Sequence, residues 1–196
     1  MRINSVVEKI ADRGQDWLLG IETGGILPTI DRPGAVYYAT IGYPLIRNIL
    51  HRLDLHPSDV FVDIGSGKGR VSCMAARYNL RRVVGVECSA ELALIARRNA
   101  ARLRGKQTVI EICNQPAEEY DYSSATVLYL FNPFEAQILD VVLGKIRSDS
   151  SGRSIKLAFI MESRDQEAVF RAHSWLHCYS RWTDHVGHAC ALYGNT

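Results

Sequence analysis

Long apolar stretches are missing from this chain. No apolar run approaches the ~18 residues that a membrane-spanning helix requires, and residues 1–17 lack the apolar centre of a secretory signal peptide. Glu8, Asp12 and Asp16 also argue against a transit peptide, which is usually poor in acidic residues. We therefore expect a cytoplasmic protein with no membrane partner.

Paired cysteines are missing too. The chain has five cysteines, an odd number, and none of them forms a C-x-x-C pair. This argues against a disulfide framework and against a zinc knuckle. Histidines and cysteines crowd together near the carboxyl end, but their spacing matches no common zinc signature, so we predict no metal site there. These residues are His173, His177, Cys178, His185, His188 and Cys190.

The chain has little net charge. Its 23 basic and 21 acidic side chains leave a formal net charge of +2, too small for a uniform field that attracts nucleic acid or anionic lipid. One basic run lies on and after a predicted helix, where such runs are usually solvated faces. We therefore rank nucleic acid as an unlikely partner. The run comprises Arg97, Arg98, Arg102, Arg104 and Lys106.

What is present is the composition of an ordinary globular protein, with 47% hydrophobic and 22% charged residues in a chain of 196. A chain of this length buries roughly 70% of its unfolded surface, which favours one domain with a full core. Residues 20–44 collect glycines, prolines and aromatics with no clear period. We predict an N-terminal cap or lid segment over residues 1–44 and a single domain over residues 45–196.

Short apolar runs alternate with segments of helical period through that domain. The runs are almost continuously apolar, which is typical of parallel strands buried on both faces. A doubly wound α/β sheet is therefore predicted, mostly parallel, with helices on both faces and a C-terminal antiparallel hairpin. The expected strands are Val60 to Ile64, Val83 to Val86, Thr108 to Cys113, Thr126 to Leu130, Ile155 to Ile160, Trp175 to Trp182 and Ala189 to Tyr193. The expected helices are Pro44 to Leu53, Gly69 to Tyr78, Ala90 to Leu103, Glu135 to Ile146 and Asp165 to His173.

The most informative stretch is the turn after the first strand, where Asp63 is followed by glycines at positions 65, 67 and 69. Glycines let a backbone bend sharply and let a ligand approach where a Cβ would collide. A phosphate loop would need a hydroxyl residue after Lys68, and a dinucleotide fingerprint needs a different glycine spacing. Asp63 would instead attract a cationic ligand, such as an ammonium or a sulfonium, directly or through a water.

A second acid, Glu87, ends the next strand. In a doubly wound fold, ligands bind outside the carboxyl ends of the strands, and an acid there can take both hydroxyls of a ribose. Asp63 and Glu87 would then bracket one ligand that has an amino acid at one end and a nucleoside at the other. S-adenosyl-L-methionine is such a molecule.

On these residues the chain resembles the class I S-adenosylmethionine-dependent methyltransferases. The resemblance is carried by D-I-G-S-G-K-G at 63–69, by Glu87 in G-V-E-C-S, and by F-N-P-F at 131–134. It implies a seven-stranded Rossmann-like sheet and S-adenosyl-L-methionine as the cofactor. It also implies that the turn residues Gly65, Ser66, Gly67 and Gly69 pass under the methionine part. Glu87 would hold the ribose hydroxyls and Cys88 would border the adenine.

The third strand departs from the family pattern. An Asp-Ala pair is common after it, but this chain has Cys113-Asn114-Gln115-Pro116-Ala117, with Pro116 in the place of the acid. Gln115 is expected to offer an amide oxygen to the adenine amino group, or backbone groups near Ala117 serve instead.

The F-N-P-F segment resembles the [NDS]-P-P-[YFW] motif of methyltransferases that act on nitrogen, with one proline missing. By that resemblance Asn132 supplies an acceptor oxygen beside the cofactor, Pro133 a rigid turn and Phe134 an aromatic wall. The alternative is that the tetrapeptide only caps the helix after it. Aromatic side chains also precede the first core helix, and at least one is expected to touch the ligand; they are Tyr37, Tyr38 and Tyr43.

The resulting hypothesis is a methyltransferase that acts on a small metabolite or a protein amine, with nitrogen favoured as the acceptor atom and nucleic acid ranked third. A binding protein that keeps the cofactor site without catalysis, or that serves an active partner subunit, is the alternative.

Overall fold

The computed structural model describes residues 3–25, 39–161 and 163–195, with side chains from residue 10 onward. The strands are β1 Val60–Ile64, β2 Arg82–Glu87, β3 Ile110–Asn114, β4 Val127–Phe131, β5 Lys156–Ile160, β6 Leu176–Thr183 and β7 Ala189–Asn195. The α-helices are α1 Ile3–Leu19, α2 Tyr43–Arg52, α3 Arg70–Ala75, α4 Ala90–Arg102, α5 Ala136–Asp149 and α6 Arg164–Ala172, and a short 3-10 helix spans Ala117–Glu119.

The strands form one seven-stranded sheet in the order β3-β2-β1-β4-β5-β7-β6. The first five strands pair in parallel, while β7 pairs antiparallel with both β5 and β6. The predicted doubly wound sheet with a closing antiparallel hairpin is thereby confirmed. Because β1 lies between β2 and β4, the carboxyl ends of these three strands meet at one edge of the sheet, where a ligand cleft is expected.

Helices cover both faces, as predicted. On one face the core joins α2 and α3 to the sheet through residues such as Ile46, Met74 and Tyr129. On the other face α5 and α6 contribute Leu139 and Phe170 to a second buried cluster. None of the described helices is long and apolar enough to cross a membrane.

Helix α1 is an element that the sequence analysis did not predict. Three of its apolar side chains are largely exposed, with Ile10 at 64%, Trp17 at 72% and Leu18 at 55%, whereas the polar Asp16 is buried. An apolar stripe facing the core is the usual signal of a surface helix. In α1 the polar Asp16 faces inward, so the apolar stripe that would have predicted this helix is weak. The rest of the predicted cap, residues 26–38 with Tyr37 and Tyr38, lies outside the described residues.

Candidate functional site

The glycine turn at residues 65–69 connects β1 to α3 at the carboxyl edge of the sheet. The φ angles of Gly65, Gly67 and Gly69 are +73°, +54° and +81°, in the left-handed region that glycine adopts at little cost. The backbone N–H groups of Gly65 and Ser66 both donate to the Val86 carbonyl, at 2.9 and 3.0 Å. The turn is therefore fixed to the end of β2.

Asp63, the acid before the turn, is 2% exposed. Its Oδ2 accepts hydrogen bonds from the backbone N–H and the hydroxyl of Ser72, at 2.9 and 2.7 Å. Burial raises the pKa of Asp63 to about 7, the Ser72 hydrogen bonds oppose that rise, and the nearby Glu87 carboxylate adds to it. Asp63 pairs with Gly85 of β2, two residues before Glu87, so the two acids lie at the same edge of the sheet.

Glu87 is 5% exposed and is attached to the same turn. Its Oε2 accepts from the Gly67 N–H at 2.8 Å, and its Oε1 accepts from the Ser89 N–H at 2.9 Å. Burial raises the pKa of Glu87, while these backbone hydrogen bonds lower it. Oε1 also accepts from the Cys88 thiol at 3.7 Å. Each carboxylate oxygen has two lone pairs, so it is Oε2 that keeps accepting capacity for a ligand hydroxyl.

A cleft opens over the ends of β1 and β4. Its walls come from residues 39–41, from Asp63, Gly65 and Ser66, from Arg70 and Val71 of α3, and from Tyr129 and Phe131 of β4. Three of the predicted ligand residues, Asp63, Gly65 and Ser66, line it directly.

The end of β3 is tied to the end of β2 by Asn114, which the sequence analysis did not single out. Its side-chain amide donates to the carbonyls of Glu87 and Cys88, at 2.9 and 3.1 Å. The Gln115 N–H donates to the Glu87 carbonyl at 3.1 Å, so Gln115 lies beside that acid. Cys88 is exposed there, and the buried Ala117 already offers its carbonyl to the Tyr122 hydroxyl at 2.9 Å.

The F-N-P-F segment at the end of β4 divides between the cleft and the core. Phe131 lines the cleft, whereas Phe134 is buried in the core cluster on the α5 face. Asn132 adopts a φ of +38°, and its Oδ1 accepts from the Gln166 amide at 2.7 Å. The same Gln166 nitrogen donates to the Phe134 carbonyl at 2.8 Å. Gln166, at the start of α6, is therefore a neighbour of the motif that sequence reasoning missed.

Tyr43 lies beneath the cleft and not in its described wall. Its side chain is fully buried, its hydroxyl donates to Asp16, and the Arg70 guanidinium lies 4.6 Å from its ring centre. A ligand contact by Tyr43 remains a prediction.

Arg70 is the centre of a buried polar network that joins the N-terminal segment to the cleft. Its guanidinium donates to Asp12 at 2.5 Å, to the Thr23 hydroxyl at 2.6 Å and to the Ile41 carbonyl at 3.0 Å. Asp16 lies 3.5 Å from the guanidinium as an ion-pair partner. The sequence offers one sign of this buried network, which is an arginine at the start of a helix whose other residues are apolar or small.

Comparisons with known proteins identify methyltransferases as the relatives of this chain. Residues 34–124 match the family model described as histone methylation protein DOT1. A putative RNA methyltransferase from Pyrococcus horikoshii superposes with a TM-score of 0.67 at 16% identity, covering 100% of this chain and 98% of that one. An RNA methyltransferase from Salinibacter ruber, solved with S-adenosyl-L-homocysteine, gives 0.62 at 24% identity, covering 80% of this chain and 94% of that one.

The chain has the class I S-adenosylmethionine-dependent methyltransferase fold. It is also 31% identical over 144 residues to the ribosomal protein L11 methyltransferase of Thiobacillus denitrificans, a match that covers 71% of this chain. The match spans 46% of that relative, less than half of its length.

The residues at the cleft fit the cofactor that this methyltransferase fold implies. Asp63 lines the cleft, and Glu87, which is not among the lining residues, holds the glycine turn through the Gly67 N–H at 2.8 Å, so two carboxyl groups are available to one long ligand. The turn needs its glycines because of their positive φ angles and because a Cβ on Gly65 or Gly69 would meet Pro133 or Ala96, at 2.5 and 3.3 Å. Among the described residues, no group of three or more His, Cys, Asp or Glu side chains is placed to hold a metal ion.

Proposed function

We propose that this protein is an S-adenosylmethionine-dependent methyltransferase that binds its cofactor across the carboxyl ends of β1 and β2. The observation that carries the proposal is the pair of buried carboxylates on one glycine turn. Asp63 precedes the turn, and Glu87 accepts from the N–H of Gly67 within it at 2.8 Å. Asp63 would take the cationic amino-acid end, and Glu87 would take the ribose hydroxyls.

The remaining ligand contacts follow from position. Gly65, Ser66, Gly67 and Gly69 would lie under the methionine part, while Cys88 and Gln115 would border the adenine with the backbone at Ala117. Bound there, S-adenosyl-L-methionine supplies a methyl group made electrophilic by its sulfonium. The protein then has to place the acceptor in line with that methyl group and exclude water.

The acceptor would approach from the β4 side of the cleft. Phe131 lines that side and gives an aromatic wall. We assign Asn132 and Pro133 to the acceptor side as well, with Asn132 as the group that touches the acceptor, while Phe134 packs in the core behind them. The Asn132 oxygen has one hydrogen bond from Gln166 at 2.7 Å and one further lone pair to offer an amine hydrogen. This favours nitrogen as the acceptor atom.

The class of acceptor is proposed as a protein amine or a small metabolite. The relative from Thiobacillus denitrificans is named for a ribosomal protein, which is in line with a protein acceptor. Two structural neighbours are described as RNA methyltransferases. The low rank that the small net charge gave to nucleic acid is therefore not supported, and RNA belongs among the acceptors to be tested.

Calorimetry with S-adenosyl-L-homocysteine tests the cofactor site. The wild-type protein should bind it, and Glu87→Ala should weaken binding by about 10- to 150-fold, as for the loss of a hydrogen bond to a charged group worth about 1.5 to 3 kcal/mol. Glu87→Gln, which keeps one oxygen, should lose less. Glu91→Ala is the matched control, because Glu91 is exposed four residues later. An unchanged Kd in Glu87→Ala refutes the ribose assignment.

A second experiment tests catalysis. The protein is incubated with methyl-labelled S-adenosyl-L-methionine and a bacterial extract that is afterwards separated into protein, RNA and small molecules. Label in one fraction identifies the acceptor class, and Asn132→Ala should slow that transfer while it spares S-adenosyl-L-homocysteine binding. Cofactor binding without any labelled product would instead support a catalytically inactive protein or a regulatory partner.

A further inference from the structure

Unpartnered buried polar atoms are concentrated at the cleft. Among the described residues, three buried side-chain atoms have no hydrogen-bond partner: the Ser66 hydroxyl, the Arg82 Nε and the Tyr129 hydroxyl. Ser66 and Tyr129 both line the cleft. A buried polar group that stays unpaired costs about 1 to 3 kcal/mol, so such groups in one place call for a functional explanation.

Of the two hydroxyls, Tyr129 is the better placed for a ligand. A Cβ added to Gly85 of β2 would lie 2.8 Å from the Ser66 hydroxyl oxygen. The Ser66 hydroxyl therefore faces the sheet. Tyr129 is the direct partner of Asp63 in the pairing of β1 with β4. Side chains of directly paired residues on neighbouring strands point to the same face of a sheet, so Tyr129 and Asp63 stand side by side.

The phenol is neutral in this position. Burial raises its pKa well above the ordinary value, and the nearby Asp63 carboxylate raises it further. A neutral hydroxyl both donates and accepts a hydrogen bond. Next to an anion it therefore completes a site for a cationic group, in which the anion supplies the charge and the phenol oxygen supplies a further acceptor.

We propose that the Tyr129 hydroxyl binds the amino-acid end of the cofactor, at its α-ammonium group, beside Asp63. This inference rests on the proposed function and adds a binding residue from β4 to it. If Tyr129 only packed the core, a phenylalanine would fill the same space without leaving a buried hydroxyl unpaired. The unpaired hydroxyl therefore argues for a ligand.

Tyr129→Phe tests the inference with two ligands and one stability measurement. S-adenosyl-L-homocysteine carries the amino-acid end, whereas 5′-methylthioadenosine lacks it. The variant should bind S-adenosyl-L-homocysteine about 10- to 150-fold more weakly, in the range expected for one lost hydrogen bond to a charged group. Its affinity for 5′-methylthioadenosine should equal that of the wild type, and its urea midpoint should be equal or higher.

Tyr193→Phe is the matched control. Tyr193 is a buried tyrosine of β7 whose hydroxyl does have a partner, Arg181 at 3.0 Å. This variant should bind both ligands as the wild type does. If the wild type binds S-adenosyl-L-homocysteine and Tyr129→Phe binds it equally well, the inference is overturned while the proposed function stands. Equal weakening for both ligands, or a lowered urea midpoint, also overturns it. Failure of the wild type to bind S-adenosyl-L-homocysteine would remove the proposed function itself.

Discussion

Gly65 and Pro133 approach each other so closely that a Cβ added to Gly65 would lie 2.5 Å from the Cβ of Pro133. The glycine turn after β1 and the F-N-P-F segment after β4 are thus in direct contact, although 68 positions separate these two residues. In the proposed function this contact would set the spacing between the cofactor side and the acceptor side of the cleft. It also explains why a glycine is required at that position of the turn.

Gly65→Ala should destabilise the protein through both strain and collision. The φ of Gly65 is +73°, and Gly152 has a similar φ of +76° with nothing within 4 Å of an added Cβ. Gly152→Ala therefore measures the strain of the left-handed backbone alone, about 1 kcal/mol. Gly65→Ala should cost at least ~2 kcal/mol more, as overpacking does. Urea denaturation checks both variants, and equal losses would contradict the contact with Pro133.

Asp63 should make the stability of the protein depend on pH. Burial raises its pKa to about 7, whereas an unfolded aspartate titrates near ~3.9. Between these values the folded protein holds a proton that the unfolded chain has released. The stabilising contribution is therefore complete below about pH 4 and is lost as the pH rises through about 7. In urea titrations across this range, Asp63→Asn should flatten the pH dependence relative to wild type, and an unaltered slope would rule out the shift.

The same titration should govern ligand affinity. A cationic group binds the ionised form of Asp63, so the affinity for S-adenosyl-L-homocysteine should rise with pH through the region near 7, where the Asp63 carboxyl ionises. Calorimetry in steps between about pH 6 and pH 8 measures this rise in the wild type. In Asp63→Asn the affinity should be lower and nearly independent of pH. A pH dependence that survives in the variant would assign the titration to another group.

Arg70 should be essential for docking the N-terminal segment. Arg70→Met leaves Asp12 and Asp16 without their buried cation, and removing one partner of a buried ion pair costs about 3 to 5 kcal/mol. Arg171→Met is the control, because Arg171 is 73% exposed and pairs with Glu167 on the surface; it should cost less than ~1 kcal/mol. Hydrogen exchange should also show faster exchange in α1 for Arg70→Met. Similar losses in both variants would argue against the network.

Gln166 should hold the F-N-P-F segment through its amide nitrogen. Gln166→Glu keeps the oxygen that accepts from the Ser163 N–H at 2.8 Å but removes the donor to Asn132 and Phe134. Stability at pH 8 should fall by about 2 to 4 kcal/mol and recover in part at pH 5, where the new carboxyl can be protonated and donate. The exposed Gln107→Glu is the control. Unfolding curves at both pH values measure this change. A loss of stability that is the same at the higher and the lower pH would contradict the role of the Gln166 amide nitrogen.

Much of the sheet could be predicted because its strands are buried on both faces and read as apolar runs. The expected strand Val60 to Ile64 matches β1 residue for residue, and the expected helix from Ala90 begins where Ser89 caps α4, its hydroxyl accepting from the Leu92 N–H at 3.4 Å. The glycine turn could also be predicted, because its backbone conformation restricts which residues fit.

Helix α1 and the direction of the Asn132 oxygen could not be predicted, because both depend on partners distant in the chain. Asp12 faces inward because Arg70, 58 positions away, pairs with it. The Asn132 oxygen is turned toward Gln166, 34 positions away. No local period or propensity encodes such a pairing.

The sequence by itself determined the chain order of the strands and α-helices after residue 42, the glycine turn, the acid before that turn and the acid that ends the next strand, because each depends on neighbouring residues and on burial period. Only the tertiary structure decided which groups share the cleft. Pairing of β1 with β4 sets Tyr129 beside Asp63, and the Arg70 network brings residues 39–41 to the opposite wall. The physical reason is that hydrogen bonds and ion pairs in a buried site form between residues that only folding brings together.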